Sequence, residues 1–228
     1  MGIACAPLYR AGMAVPKNAP LPAFPGLEIE SDETVWQGRF PLQVIRFRHA
    51  RFDGRRSGLR TWELWRRGRA AALLPYDPIA DQVVLIEQFR LPALAAGVDP
   101  LMVEIPAGLC DPGEDPAATL IREAEEEIGL TPRRILPIGD FVLTPGGCDE
   151  RVAIHVGEVT APPGGADGLV GRAGLQAEDE DIQVRVWPAV TAIDAALEGR
   201  FPNSVTALAL LWLAARRDRI RELWKKTT

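Results

Sequence analysis

The chain has few of the residues on which several kinds of function depend. Its 228 residues include three cysteines and two histidines. Cys5, Cys110 and Cys148 are odd in number and far apart, which suits neither a disulfide framework nor a zinc site, so reduced thiols are expected. A thiol enzyme pairing Cys110 or Cys148 with His49 or His155 is disfavoured, because neither cysteine lies in a nucleophile motif. H-E-x-x-H and a phosphate loop ending in Gly-Lys-Ser/Thr are both absent. A basic excess is missing too: the net charge of −5 argues against general binding to a nucleic-acid backbone. The basic run Arg51 to Arg56 contains Asp53 and reads as a solvated turn. Long apolar runs are also lacking. The longest, Val205 to Ala215, falls short of the roughly 18 residues of a membrane span and reads as a buried helix. The first residues show no charged segment followed by an apolar one, and Ala6 stands where a myristoylation signal has Ser or Thr, so a cytoplasmic location is expected. What remains is 47% hydrophobic and 25% charged, the balance of a globular chain long enough to bury a core.

Within that balance the chain divides by pattern. Residues 1 to 35 are rich in Pro, Gly and Ala without periodicity, and a poorly ordered arm is expected there. From 36 to 68, the stretches Phe40–Phe52 and Leu59–Arg67 are rich in β-branched and aromatic residues around the turn DGRRSG, which predicts a hairpin in a small β-rich domain. Residues 69 to 228 are expected to form a second domain. There AALLPY and QVVLIEQF flank the turn DPIAD, and MVEIPAG is a short strand. Pro116 to Ile128 is predicted as a helix: Asp115 can cap it, Pro116 suits its first position, and Gly129 can take the left-handed position that ends it. LPIGDFVL, RVAIHVGEV and DIQVRVW read as strands. Between the last two, a Gly-, Pro- and Ala-rich connection ending in acidic residues reads as a mobile lid. Helices over Ala189–Glu198 and Ser204–Trp224 close the chain.

The predicted helix carries the chemistry. Glu123, Glu126 and Glu127 are neighbours on it, and like charges at that spacing are destabilising unless something neutralises them. Two unit charges about 4 Å apart repel by about 4 kcal/mol at an effective dielectric near 20. A hard divalent cation reverses that repulsion. Mg²⁺ prefers oxygen ligands and is commonly held by one or two carboxylates together with substrate phosphates. Glu123 and Glu127 face the same way one turn apart and can bind it with the carbonyl of Ala107, where a strand ends; Glu126 can join directly or through water. Glu114 and Arg122 more readily pair across the helix start to hold the loop.

From Gly108 to Leu130 the chain also resembles the Nudix box, G-x5-E-x7-R-E-U-x-E-E-x-G-U, of hydrolases that cleave nucleoside diphosphates linked to another moiety. Gly108, Glu114, Arg122, Glu123, Glu126, Glu127 and Gly129 fill the fixed positions, while Ala124 is smaller than the usual aliphatic. At ordinary residue frequencies seven such matches arise by chance about once in 10⁸ starting points, which sets aside a merely solvated helix face. The resemblance implies an α/β fold, a Nudix α/β/α sandwich with a mixed sheet preceded by a small β-rich domain. It implies two or three Mg²⁺ ions, or Mn²⁺ in their place, on Ala107, Glu123, Glu126 and Glu127, with Gly108, Glu114, Arg122 and Gly129 structural.

Likeness to the ADP-ribose pyrophosphatase branch extends from about Phe40 to Trp224, with Pro145 in TPGGCDER sixteen residues past Gly129. AEDEDI looks like that branch's catalytic loop, which implies Glu178 as base and Glu180 as a metal ligand, roles the two could exchange. Trp62 and Phe40 match aromatic platforms for adenine, Arg67 and Arg90 match diphosphate-binding arginines, and Glu150 matches a residue near the terminal ribose. A homodimer with exchanged N-terminal domains is implied too. The implied reaction is Mg²⁺-dependent hydrolysis of ADP-ribose to AMP and ribose 5-phosphate. Its alternatives are hydrolysis of GDP-mannose or another nucleoside-diphosphate sugar, and a silent module that binds ADP-ribose as a sensor.

Overall fold

The computed structural model describes residues 19–175 and 180–225, and these group into two compact units. The first unit runs through Arg69 and also takes in Cys110–Asp115 and Val142–Arg151. It therefore differs from the contiguous division at residue 69 read from the sequence. Its sheet has the order β1 (Leu27–Trp36), β2 (Leu42–His49), β3 (Arg60–Trp65), with both pairings antiparallel. β1 corrects the expectation of an arm as far as residue 35. The strand is exposed along nearly its whole length and bulges twice, so it shows no apolar alternation. It is held instead by its ladder to β2 and by charge, Glu30 pairing with both Arg46 and Arg48 across the strands. The segment Val142–Arg151 joins this unit through β3: the Trp65 amide donates to Gly147 O at 2.8 Å, and the Asp149 amide donates to Trp65 O at 3.2 Å. The interior beneath is polar. Arg66, 4% exposed, donates from Nε to Asp149 at 2.7 Å and from Nη1 to Gln43 at 2.6 Å.

The second unit is built on an apolar sheet. Its elements are β4 (Arg69–Asp77), β5 (Gln82–Phe89), α1 (Leu91–Ala95), β6 (Leu101–Glu104), β7 (Ala107–Leu109), α2 (Pro116–Ile128), β8 (Arg134–Val142), β9 (Arg151–Glu158), β10 (Leu169–Ala173), β11 (Ile182–Pro188), α3 (Ala189–Leu197) and α4 (Ser204–Lys225). The strands run in the order β10-β11-β5-β4-β9-β8, with β6 added on β5 and β7 on β4. β4 is buried from end to end, and Leu73, Leu74, Tyr76, Val83, Leu85 and Ile86 are almost wholly excluded from water. Helix α2 packs on β5, β7, β10 and β11, while α3 packs on β5, β11 and α4. This is an α/β fold with a mixed sheet and a β-rich N-terminal sheet.

The bounds of α2 agree with its end signals. Gly129 adopts φ +66°, and the amides of Gly129 and Leu130 return to the carbonyls of Glu125 and Ala124. The strand read in MVEIPAG is split into β6 and β7 around Pro106, which has no amide to donate. Besides β1, two elements were not anticipated. α1 is only five residues long, too short for a periodic signal. β10 lies within the connection read as a mobile lid, where it pairs with β11 and the Val186 amide reaches Gly168 O at 2.8 Å. No helix among the described residues is long and apolar enough to cross a membrane.

Candidate active site

The carboxylates of α2 sit against β7, and the register of β7 explains how. Pro106 O accepts the Leu73 amide at 2.9 Å, so the next residue, Ala107, turns its own N–H and C=O away from β4. Its N–H donates to Glu127 Oε2 at 2.9 Å. Its carbonyl leaves the strand on that same side. One turn before Glu127, the Glu123 carboxylate occupies the space that a side chain at Gly108 would fill: a Cβ there would overlap both the carboxyl carbon and one of its oxygens. Only glycine lets the strand and this carboxylate approach so closely. Arg122 Nη1 pairs with Glu123 at 2.7 Å and with Glu126 at 3.0 Å.

Burial and mutual repulsion govern how these groups hold protons. Burial pushes the Glu127 carboxyl up to about 8, aided by the nearby charges of Glu123 and Glu180 and opposed by the Ala107 N–H and by Arg90. Glu123 is also raised, first by burial and then by Glu126 and Glu180, against the pull of Arg122. Electrostatic coupling thus brings Glu180 and Arg90 into the surroundings of the carboxylate pair. Glu180 is anchored by Leu175, whose amide donates to its Oε2 at 3.2 Å. Glu178 lies outside the described residues.

These residues fit a hard divalent cation. The donors are carboxylate oxygens with an outward carbonyl beside them, and Gly108 keeps the space by Glu123 free of a side chain. Among the described residues no three Asp, Glu, His or Cys side chains already converge on one point.

A separate set of expected residues lies in the first unit. Trp36, Leu42 and Trp65 stand side by side across its three strands. With Arg60, Trp62, Glu63 and the backbone of Gly146 and Gly147 they line a groove of about 740 Å³. Trp62 is 40% exposed, stacks on Phe47 at 5.9 Å and spends its indole N–H on Gly146 O at 2.7 Å. The loop carrying Pro145 is therefore pinned directly to the proposed adenine platform. Phe40 meets Trp65 edge-on and lies under the Arg67 guanidinium, 4.5 Å from Cζ. Arg67 Nε also pairs with Glu150 at 2.7 Å, so these two expected contacts form one ion pair. Glu114, also in this unit, closes a turn by accepting the Asp111 amide at 2.9 Å.

Sequence reasoning missed Trp36, Trp65 and Glu104. The two tryptophans come to flank Leu42 only once β1 is known to pair with β2. Glu104 is a buried carboxylate in an otherwise apolar strand signal, and that exception was the available clue.

Comparison with known proteins agrees with the box. A NUDIX domain model matches residues 66–208. An ADP-ribose pyrophosphatase of Escherichia coli K12 is 40% identical over 198 residues, covering 87% of this chain and 92% of that protein. One from Haemophilus influenzae is 34% identical over 204 residues, with coverages of 88% and 92%. A GDP-mannose pyrophosphatase of Salmonella arizonae is 31% identical over 152 residues, 66% of this chain and 76% of that one. A crystal structure of an ADP compounds hydrolase shares the fold at a TM-score of 0.64 and 21% identity, covering 88% of this chain and all of that one.

Proposed function

Since the chain belongs to the Nudix family, we propose that it hydrolyses ADP-ribose to AMP and ribose 5-phosphate. The family assignment makes it a hydrolase acting on a nucleotide-sugar diphosphate. The observation that carries the finer reading is the carboxylate pair: Glu127 is buried on the Ala107 amide, and Glu123 is seated over a glycine that leaves it room. Relatives named ADP-ribose pyrophosphatases at 34–40% identity over most of the chain support the choice of substrate.

Nudix hydrolases generally need a divalent metal. Glu123, Glu127, Glu126, the Ala107 carbonyl and Glu180 would hold Mg²⁺ here, two or three ions in all, with Mn²⁺ as a substitute. When bound, the metal supplies charge neutralisation at the diphosphate oxygens and lowers the pKa of the attacking water. The residues supply the rest. Glu178 or Glu180 accepts the proton of that water. Arg90 offsets charge on the diphosphate, as does Arg67, held in orientation by Phe40 and Glu150. Trp62 offers a face to the base, with aromatic stacking contributing roughly 1–3 kcal/mol; Phe40 is the weaker platform, since Arg67 already covers it. Glu150 adjoins the terminal ribose through Arg67.

A homodimer exchanging N-terminal sheets belongs to the same reading, supported by the exposed apolar residues Ile29, Val35 and Trp36 on a β1 that is bare along its length. A cytoplasmic location is part of it as well.

The test is a panel of ADP-ribose, GDP-mannose, NADH and ADP-glucose assayed with Mg²⁺, with products identified by chromatography. ADP-ribose should give the highest kcat/KM, with AMP and ribose 5-phosphate in equal amounts. A preference for GDP-mannose would overturn the substrate and transfer the reading to the GDP-mannose pyrophosphatases that this chain also resembles.

A further inference from the structure

Glu104 is 6% exposed, and three side chains from different parts of the second unit converge on it. Arg90, just after β5, donates from Nε to Oε2 at 2.8 Å; Gln88, in β5, reaches the same oxygen at 3.4 Å. Asn203, which precedes α4, donates from its amide to Oε1. Asn203 is fixed in turn, since its own side-chain oxygen accepts the Thr206 amide at 2.9 Å as the cap of α4. Thr206 then accepts the Ile105 amide through Oγ1 at 3.1 Å, closing the network back onto the residue after Glu104.

A buried ion pair is a poor source of stability, because the cost of removing both charges from water offsets much of their attraction. This one is also lopsided. Glu104 is buried, but the Arg90 side chain is 43% exposed. Contact through Nε uses the inner edge of the guanidinium and, among the described residues, leaves the end-on pair of Nη groups for a bidentate partner. The charge of Arg90 opposes the raised carboxyl of Glu127, so this side chain belongs to the neighbourhood of the carboxylate pair.

We propose that Glu104 is a positioning residue that aims the Arg90 guanidinium at the substrate diphosphate, with Asn203 locking the Glu104 carboxylate in place. Glu104 touches no substrate itself. Its contribution is to hold a long cationic side chain in one orientation before the diphosphate arrives, so that less freedom is lost on binding. The inference rests on the reading of this site as one for a nucleoside diphosphate.

The test is a double-mutant cycle on the full chain with Mg²⁺, using E104Q, R90A and their combination. E104Q should raise KM for ADP-ribose about tenfold, the size expected from a lost charge-assisted contact, while kcat stays within about threefold. In the R90A background E104Q should add nothing. Fully additive effects, or a fall in kcat at unchanged KM, would overturn the proposal. N203S keeps an oxygen to cap α4 but removes the amide donor, so it should shift KM the same way by a smaller factor; if E104Q does not fold, this variant decides. If the wild-type protein does not turn over ADP-ribose, the substrate reading fails by itself. The same cycle is then measured by titration calorimetry with Mg²⁺ and inorganic pyrophosphate, where coupling between positions 90 and 104 upholds the positioning role and additivity ends it.

Discussion

The two units are stabilised in opposite ways. In the second, β4 and β5 carry continuous apolar runs whose side chains exclude water, and its buried charged groups, Asp77, Glu104, Glu127 and Glu158 among them, are few beside that core. In the first, β1 and β3 are mostly exposed, and the best-buried side chains include Arg66 and Gln43 beside Ile45. Apolar burial is non-directional and tolerant, worth roughly 25 cal/mol per Å² removed from water. A buried guanidinium is unforgiving, because it is stable only while each partner stays in place. The difference matches the work proposed for each. Glu123 and Glu127 need a rigid base, whereas an aromatic groove for a nucleoside gains from a thinner sheet whose loops carry the recognition groups.

The comparison can be broken most forcefully at the carboxylates. Glu127→Gln should lower Mg²⁺-dependent turnover about a thousandfold, comparable to losing a major source of transition-state charge stabilisation, while circular dichroism shows an intact fold. Unchanged turnover would remove Glu127 from the metal site. Next in size, Arg66→Met should destabilise the first unit by about 3 kcal/mol, because it strips Asp149 and Gln43 of a buried partner. Hydrogen exchange should then speed up in β2 and β3 well before β4 and β5; uniform acceleration would mean that the two units unfold as one.

A third test exploits the raised Glu127 pKa. The folded protein binds this proton more tightly than the unfolded chain, so the contribution is complete below the ordinary value of 4.5 and is lost as pH rises toward about 8. The metal-free protein should therefore lose several degrees of melting temperature across that window. Glu127→Gln should flatten the loss. Added Mg²⁺ should reverse it at pH 8, since metal binding favours the deprotonated carboxylate. The smallest effect is expected at Thr119, whose buried hydroxyl in α2 meets no hydrogen-bond partner among the described residues. Thr119→Val keeps the shape and removes the unsatisfied group, so chemical denaturation should show a gain of about 1 kcal/mol.

These contrasts also mark what could be read from the chain. α2 was legible to the residue because Asp115, Pro116 and Gly129 punctuate it and its glutamates repeat at helical spacing. The β2–β3 and β4–β5 hairpins were legible because their strands are apolar or aromatic and their turns carry Gly, Asp or Pro. β1 was not, because LEIESDETVW has four acidic residues in ten and is twice bulged; its strand state depends on Arg46 and Arg48 opposite. β10 depends in the same way on β11.

By itself, then, the sequence determined which carboxylates stand on one helix face, and the type and order of most elements. These are local properties, set by spacing along the chain and by the conformational limits of Pro and Gly. Only the tertiary structure decided what each group meets. Contacts between Ala107 and Glu127, between Gly108 and Glu123, among Trp36, Leu42 and Trp65, and of Arg90, Glu104 and Asn203 join residues brought together by strand register and helix packing. Burial and hydrogen-bond geometry belong to that arrangement, and they set how tightly Glu127 holds a proton and which edge of Arg90 is left for a ligand.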